Sequence, residues 1–238
     1  MQGSKNLKVI INKKMRDLTL IIPAKEEKES LPVFLNELRN LDFYKLVVLQ
    51  KEDESTFNAI SNIKDINILV QQNNGYGNAL KEGISAVKTK YCCIINADGS
   101  MDPKYLGDKL TKCENRDFIF SSRYEKSAGS NDDDIVTLIG NKIFTFLGNF
   151  FFNLGISDIL FTYILGKTEA FRRLDLSYSD FRICVEIPIN AKKKNFNYDI
   201  IPSFERNRIG GKKKVNPIKD GFLILFAMVS LFFKKFND

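Results

Sequence analysis

An acidic turn follows an apolar segment in the stretch YCCIINADGSMDP, residues Tyr91–Pro103. The turn offers Asp98 and Asp102, with Asn96 where a third carboxylate could stand. Open α/β sheets bind ligands at the carboxyl ends of their strands, and closely spaced carboxylates often hold a divalent metal. The same residue types also form ordinary β-turns. This segment alone is compatible with a plain turn and with a metal or nucleotide site.

Two glycines in QQNNGYGNALKEGI, Gly75 and Gly77, lie just before a predicted helix that opens at Asn78. Such a turn lets backbone N–H groups and the amino end of a helix approach an anion. The segment has neither the third glycine of a dinucleotide fingerprint nor the Gly-Lys-Ser/Thr of a P-loop. It therefore indicates either a plain loop or a phosphate-binding loop.

A basic cluster, RIGGKKK, places Arg208 and three lysines around a pair of glycines. Arginine grips a phosphate with two hydrogen bonds and lysine acts as a point charge, so the cluster is suited to clamp a phosphate. Arg123, just after FIFSS, could join it from the same edge of the sheet. The alternative is a solvated charge run or a basic patch on a membrane surface.

The composition restricts the chemistry. The chain has 238 residues, 36 basic and 29 acidic, a net charge of +7 and no histidine. Histidine bases, Ser-His triads and the commonest zinc sites are therefore excluded, and anionic partners are favoured. Aromatic and basic residues do not alternate in the way that is typical of nucleic-acid-binding modules, so we do not expect nucleic acid as a partner. The four cysteines form no CxxC pair, and we interpret them as reduced core residues of a protein facing the cytosol.

The order of elements predicts the fold class. Apolar runs LTLIIPA, KLVVLQ, NILVQQ and YCCIINAD alternate with segments of helical periodicity. This alternation predicts a doubly wound, mostly parallel α/β sheet over about the first 100 residues. In the second half we expect a strand in DFIFSSRY, a lid-like polar loop in EKSAGSNDDD, a helix in SDFRICVEIPINAKKK and a strand in YDIIPSFERN.

Two apolar segments, Phe144–Ile156 and Phe222–Phe233, are shorter than the 18 to 20 or so apolar residues that cross a bilayer. We expect both to lie in a membrane interface, with a core or an oligomer interface as the alternative. The polar, Lys-rich amino terminus predicts no signal peptide. We therefore expect a domain over residues 1–215 and a membrane-associating segment over residues 216–238, peripheral on the cytoplasmic face of a membrane.

Taken in order, seven motifs resemble a known family: IIPAKEE, NNGYGNALKEGI, NADGSMDP, SSRY, SDILFTYILGKTEAF, EIPI and RIGGKKKVNPIKDG. Over residues 18–221 the chain resembles family 2 glycosyltransferases, most of all the branch of dolichol-phosphate mannose synthase and bacterial polyprenyl-phosphate sugar transferases. The resemblance implies a GT-A (Rossmann-like) fold with a C-terminal amphipathic helix on the membrane surface. It also implies a nucleotide-sugar donor, Mg²⁺ or Mn²⁺, and a polyprenyl-phosphate acceptor.

The resemblance also implies roles for individual residues. Asp98 matches the last carboxylate of a D-x-D-type metal turn, Ser100 a further polar ligand, and Arg208 and Lys214 the ends of an R-x-x-G-x-S-K motif. Those expected to bind the donor nucleotide are Pro23, Ala24, Glu26, Gln50, Gly75, Gly77, Asn96 and Asp98. The expected metal ligands are Asp98 and Ser100, and the expected catalytic residues are Asp98, Arg123, Arg208 and Lys214.

The chain departs from the family pattern at three places. Asn96 replaces the first carboxylate of the metal turn, and Lys213 stands where the family has serine. Leu49 and Gln50 replace an Asp-Asp pair that reads the nucleobase, so the identity of the donor nucleotide is not carried over.

A phosphate acceptor is ionised at neutral pH and needs no strong base, which suits a chain without histidine. We expect in-line displacement, and the resemblance implies inversion at the anomeric carbon. A hydroxyl acceptor would need a carboxylate base, for which Asp158 and Glu186 are candidates. The alternatives are a glycosyltransferase of the same fold that extends a saccharide, and a non-catalytic nucleotide-sugar-binding membrane scaffold. A homo-oligomer is also compatible with the sequence.

Overall fold

The computed structural model describes residues 17–211 and 213–234. Its strands are β1 (Leu18–Ala24), β2 (Tyr44–Leu49), β3 (Asn67–Val70), β4 (Tyr91–Ile94), β5 (Phe118–Ser122), β6 (Gly129–Ser130), β7 (Leu165–Lys167), β8 (Tyr198–Pro202) and β9 (Phe204–Glu205). Its helices are α1 (Leu31–Glu37), α2 (Glu54–Ile60), α3 (Tyr76–Ala86), α4 (Leu106–Lys112), α5 (Ile135–Phe152), α6 (Thr168–Arg172), α7 (Ile183–Lys193) and α8 (Pro217–Phe233).

A seven-stranded sheet in the order β3-β2-β1-β4-β7-β5-β8 forms the centre of the protein. β1 pairs in parallel with both β2 and β4, while β7 is antiparallel to β4 and β5. The unbroken apolar run of β1 is explained by burial on both faces, since helices cover a parallel sheet on each side. The predicted mostly parallel α/β sheet flanked by helices is confirmed.

The parallel pairing brings the carboxyl ends of β1, β2 and β4 to one edge of the sheet. α3 begins at Tyr76, two residues before the Asn78 predicted from the sequence, with Gly75 as its N-cap. Gly75 has a φ of +122°, and a Cβ there would lie 2.2 Å from the carbonyl oxygen of Ser179. Only glycine is compatible with this turn, because both the backbone conformation and the space exclude a side chain.

Helices α5, α7 and α8 form a separate apolar cluster beside the sheet. α8 buries Ile224, Ala227, Met228 and Leu231 within this cluster. The predicted boundary at residues 215 and 216 coincides with the start of α8, where the Asn216 side chain caps the helix. The division into a domain and a terminal segment stays a prediction, but α8 packs as part of the core.

α5 is longer than the sequence indicated. It begins at Ile135, where the Asp134 side chain accepts a hydrogen bond from the backbone of Thr137, and it ends before Asn153 in the left-handed conformation. The expectation that this region is too short to cross a bilayer was wrong. Its 18 residues, with a mean hydropathy of 1.5, suffice by length and composition, and within the described part of the chain no other helix does.

Candidate active site

A cavity of about 430 Å³ lies at the edge where β1, β2 and β4 end. Most of the residues predicted to bind the donor line it, as do two of the predicted catalytic cations. Those predicted residues are Pro23, Ala24, Gln50, Gly75, Asn96, Asp98, Arg208 and Lys214. The cavity also contains side chains that the sequence did not single out, namely Glu27, Gln71, Tyr76, Phe181, Lys219 and Asp220.

Asp98 is held in one orientation at the floor of this cavity. Its Oδ1 accepts hydrogen bonds from the backbone N–H of Ser100 at 3.0 Å and from the Ser100 hydroxyl at 2.8 Å. Its Oδ2 lies 3.4 Å from Nη2 of Arg208. Ser100 is 1% exposed, so its hydroxyl braces the Asp98 carboxylate. Its role as a metal ligand stays a prediction.

The backbone explains why Arg208 lies over the acidic turn. The N–H of Arg206 donates to the carbonyl of Ser100, and the N–H of Ile209 donates to the carbonyl of Asp98, both at 2.8 Å. These bonds attach the basic segment to the turn. Two motifs more than 100 residues apart in the chain are thereby brought into contact.

Asn96 belongs to a polar contact that the sequence did not predict. The Tyr76 hydroxyl donates to Oδ1 of Asn96 at 3.3 Å and lies 2.8 Å from the Thr162 hydroxyl. The Tyr76 ring stacks on Phe181, with 5.0 Å between the ring centroids. Asn96 thus has a neutral hydroxyl as its neighbour, and the amide adds no charge to the metal turn.

Glu27 lies in the cavity where the sequence favoured Glu26. Burial raises the pKa of the Glu27 carboxyl above its ordinary value, while the hydrogen bond from Ser30 opposes this shift. The backbone N–H of Glu26 donates to Asp53 at 2.6 Å, and its exposed side chain pairs with Lys214 at 3.2 Å outside the cavity lining. Both residues follow β1, and the backbone between strand and helix is left-handed at Glu26, with a φ of 52°.

Gly77 does not line the cavity either. A Cβ there would lie 2.4 Å from the carbonyl oxygen of Tyr178 and 2.8 Å from the carbonyl carbon of Ser179. Gly77 therefore permits close packing of α3 against that loop.

A second cavity of about 610 Å³ lies between α5 and α8 and adjoins the first. Both cavities are lined by Tyr76, Asn96, Phe181, Arg208 and Lys214. Its walls are mostly apolar, with Val136, Ile143, Phe144, Leu147, Leu160, Ile218, Phe222, Ile224 and Leu225. Its polar end contains Arg123, Asp132, Asp133, Glu205 and Lys213.

Arg123 is buried at that polar end and is surrounded by carboxylates. Its guanidinium lies 2.8 Å from Asp158, 3.0 Å from Asp133 and 3.1 Å from Glu205. Burial alone would lower the pKa of Arg123, but the three carboxylates raise it well above its ordinary value. Arg123 therefore anchors the loops around the second cavity. Its predicted catalytic role stays a prediction.

The two candidate carboxylate bases have structural partners. Asp158 accepts hydrogen bonds from the backbone and the guanidinium of Arg123 and from Asn141. Glu186 accepts from the backbone of Ser177 and Tyr178 and from the Ser177 hydroxyl. Both carboxylates are thus used to hold loops.

Comparison with known proteins shows the family of the chain and its fold. The sequence model of the family described as Glycosyl transferase family 2 matches residues 19–175 of this chain. An uncharacterised glycosyltransferase of Mycobacterium tuberculosis strain H37Rv is 24% identical over 209 residues, which cover 87% of this chain and 93% of that relative. A relative from Mycobacterium bovis matches to the same extent.

Solved structures share the fold at low sequence identity. Glucosyl-3-phosphoglycerate synthase from M. tuberculosis, in complex with Mn²⁺, UDP and phosphoglyceric acid, superposes with a TM-score of 0.69 at 13% identity, covering 95% of this chain and 82% of that one. Mannosyl-3-phosphoglycerate synthase from Rubrobacter xylanophilus gives 0.64 at 14% identity, covering 93% and 75%.

The expected divalent cofactor agrees with the Mn²⁺ in the first of these neighbours. The finer resemblance to the polyprenyl-phosphate branch stays a prediction, since both neighbours are named for phosphoglycerate products. The family model spans more than half of the chain. The protein therefore belongs to glycosyl transferase family 2 and is a glycosyltransferase with a GT-A fold.

Proposed function

We propose that this protein transfers a sugar from a nucleotide-diphosphate donor to a polyprenyl phosphate on the cytoplasmic surface of a membrane. The observation that carries the proposal is the junction of two unlike cavities at Arg208, one at the polar edge of the sheet and one with apolar walls. A diphosphate in the first cavity and a lipid phosphate in the second would meet at this arginine.

The first cavity suits a nucleotide sugar. Pro23, Ala24 and Gln50 form the end where a nucleobase and ribose would lie, and Asp98, Arg208 and Lys214 form the end for a diphosphate. Gln50 carries an amide, which both donates and accepts hydrogen bonds. The side chain therefore does not select one base by charge.

A divalent metal fits this site if the donor supplies most of its ligands. Among residues 17–211 and 213–234, no cluster of three acidic, cysteine or histidine residues is arranged to hold a metal. Mg²⁺ is commonly bound by one or two carboxylates together with substrate phosphates, and Mn²⁺ shares its preference for oxygen ligands. Asp98 supplies one such carboxylate. When bound, the metal would neutralise charge that develops on the leaving diphosphate.

The chain's own cations contribute to the same effect. Arg208 and Lys214 line the diphosphate end of the cavity. Preorganised positive groups at the point where charge develops commonly contribute about 100-fold or more to a rate. In the reaction, an oxygen of the acceptor phosphate forms a bond to the anomeric carbon while the bond from that carbon to the diphosphate breaks.

A phosphate nucleophile is consistent with the partners of the candidate bases. Asp158 and Glu186 are both buried and hydrogen-bonded to neighbouring loops. A phosphate oxygen is already ionised, so displacement does not require either carboxylate to remove a proton.

The outer faces of α5 and α8 suit a membrane surface. Both helices expose large apolar side chains, and those that do not line the second cavity are Ile135, Ile139, Phe146, Phe150, Phe151, Phe226, Val229, Phe232 and Phe233. We call this surface the apolar face. Amphipathic helices of this kind bury such a face at the boundary between head groups and acyl chains, which would place the second cavity beside the lipid.

A second candidate acceptor is a small phosphorylated hydroxy acid. The structural neighbours named above contain or make phosphoglycerate derivatives, and the polar end of the second cavity has three basic residues besides Lys214, namely Arg123, Arg208 and Lys213. The apolar walls favour the lipid, because a small polar acid would leave them without a partner.

The test is a transfer assay with the full chain, Mn²⁺ and a panel of nucleotide sugars. The acceptors are farnesyl phosphate, 3-phosphoglycerate and a neutral saccharide, and products are identified by mass spectrometry. We expect glycosylated farnesyl phosphate. Transfer to 3-phosphoglycerate or the saccharide alone would overturn the lipid assignment, and nucleotide binding without any transfer would favour the non-catalytic scaffold.

A further inference from the structure

We propose that Asp132 is an internal anion that occupies the acceptor-phosphate position on Arg208 until the substrate displaces it. The inference rests on the proposed function for the identity of the acceptor. It makes Asp132 a positioning residue that sets the affinity of the site for phosphate monoesters.

The contact between Asp132 and Arg208 has the geometry of a bound phosphate. Nε of Arg208 lies 3.2 Å from Oδ1 of Asp132, and Nη2 lies 3.1 Å from Oδ2. Lys213 approaches the same residue, with its Nζ 3.8 Å from Oδ2. Carboxylates and phosphates bind arginine in the same two-pronged manner, so a phosphate could replace the carboxylate without moving the guanidinium.

The loop that carries Asp132 is attached to strand β9. β6 pairs with β9, aligning Ser130 with Glu205. The Ser130 hydroxyl donates to Glu205 and accepts from the backbone N–H groups of Asp132 and Asp133, at 3.1 and 3.0 Å. The loop is thereby held, and the Asp132 carboxylate is directed at Arg208.

A substrate could replace Asp132 more readily than the carboxylates that surround Arg123. The side chain of Asp132 is 17% exposed, whereas that of Asp158, the partner of Arg123, is 0% exposed. Separating Arg123 from its carboxylates would leave buried charges without partners, which is strongly unfavourable. Displacing Asp132 instead releases a carboxylate that lies close to solvent.

This exchange has a consequence for acceptor binding. Any phosphate monoester must first break the ion pair between Asp132 and Arg208, so its apparent affinity falls by the cost of that step. Inorganic phosphate has no chain to bury, so it gains no further contact that offsets the cost of breaking this ion pair. A lipid phosphate recovers it by burying its chain against the apolar walls of the second cavity.

The test compares the full chain with Asp132→Asn and Asp132→Ala. The probes are inorganic phosphate, followed by ³¹P NMR titration, and farnesyl phosphate, followed by binding and by transfer kinetics. We expect both variants to bind both probes about five-fold more tightly or better, a size typical of one partly exposed charge pair. We expect KM for farnesyl phosphate to fall by the same factor as the dissociation constant, and kcat to change by less than two-fold.

Two controls keep the test specific. Asp199→Asn removes the same charge from an exposed ion pair with Lys112 and should leave both affinities unchanged. Asp132→Glu retains the charge and should behave like the natural protein.

Unchanged or weaker phosphate binding in Asp132→Asn would overturn the proposal. So would a large loss of kcat at constant KM, since Asp132 would then act as a base on a hydroxyl acceptor. Failure of the natural protein to glycosylate farnesyl phosphate would refute the proposed function alone, because the comparison with inorganic phosphate needs neither donor nor lipid.

Discussion

Nη2 of Arg208 lies 3.4 Å from Oδ2 of Asp98. The residue expected to hold the metal is therefore in direct contact with a residue expected to grip phosphate. Without a donor, the two charges compensate each other across the floor of the cavity. A metal-bound diphosphate would carry both signs of charge and could satisfy Asp98 through the metal and Arg208 through a phosphate oxygen.

Replacing Asp98 tests this arrangement. Asp98→Asn preserves the shape of the side chain and an oxygen that can accept from Ser100, but it removes the charge that would hold the metal. We expect metal-dependent turnover to fall by about 100-fold or more while the protein stays folded. Turnover is measured as release of nucleoside diphosphate over a range of Mn²⁺ concentrations, and folding by thermal unfolding.

Asp102→Asn is the matched control, because Asp102 is in the same turn but pairs with Lys104 and caps a short helix. It should keep most of the activity. Full turnover in Asp98→Asn would refute the assigned role of Asp98.

The apolar face is tested by point substitutions. Deleting residues 221–238 would also remove Ile224, Met228 and Leu231, which are buried in the core, so a deletion would unfold part of the protein. Phe150 and Phe226 are 70% and 69% exposed. We expect the double variant Phe150→Asp with Phe226→Asp to bind anionic vesicles at least about ten-fold more weakly, because two large apolar side chains leave the interface.

Binding is measured by co-sedimentation, with the melting temperature as the check on folding. Phe57→Asp, a substitution on α2 at a side chain that is 43% exposed, is the control and should bind normally. Undiminished vesicle binding in the double variant would contradict the membrane role. A lower molecular mass in solution would identify the face as a contact between copies of the chain.

Lys109 gives a prediction on stability. Its side chain is fully buried, with Nζ donating to the carbonyl of Tyr163 at 2.7 Å, and burial lowers its pKa well below 10.5. Between the folded-state pKa and 10.5 the unfolded chain binds the proton that the folded protein releases, so stability rises with pH in this window. The slope approaches about 1.4 kcal/mol per pH unit for one proton.

We expect Lys109→Met to reduce this rise, measured as the free energy of unfolding in denaturant at several pH values from 7 to 9.5. Lys112→Met, at a side chain that is 48% exposed, should retain the rise. Equal pH slopes for Lys109→Met and the natural protein would show that Lys109 keeps its ordinary pKa in the folded state.

Much of the fold could be predicted from the sequence. The strand at residues 18–24 was recognisable because a run buried on both faces has no polar alternation. Gly75 was recognisable as part of a turn that precedes a helix, and the structure requires glycine there because of its positive φ and the nearby carbonyl of Ser179. α5 was underestimated because its first turns contain Gly140, Asn141 and Lys142, and periodicity does not show that Asp134 caps a helix at that point.

The site was predictable to the extent that its residues follow strands. Gln50 comes directly after β2 and Asp98 lies four residues after the end of β4, so the parallel register places both at one edge of the sheet. Glu27 was missed in favour of Glu26, because the sequence does not show that the backbone turns through a left-handed residue at Glu26 or that Ser30 and Thr56 hydrogen-bond to Glu27. The contact between Asp132 and Arg208 was missed because the two residues lie 76 positions apart in the chain.

The sequence by itself determined the alternation of strands and helices, the family and the residue types available for chemistry, since these depend on local pattern and motif order. Only the tertiary structure decided how the charges are paired. It joined Arg208 to Asp98 and Asp132, enclosed Arg123 among three carboxylates, and set α8 beside α5 to make the apolar cavity. Such pairings depend on distances between segments remote in the chain, and no local pattern encodes those distances.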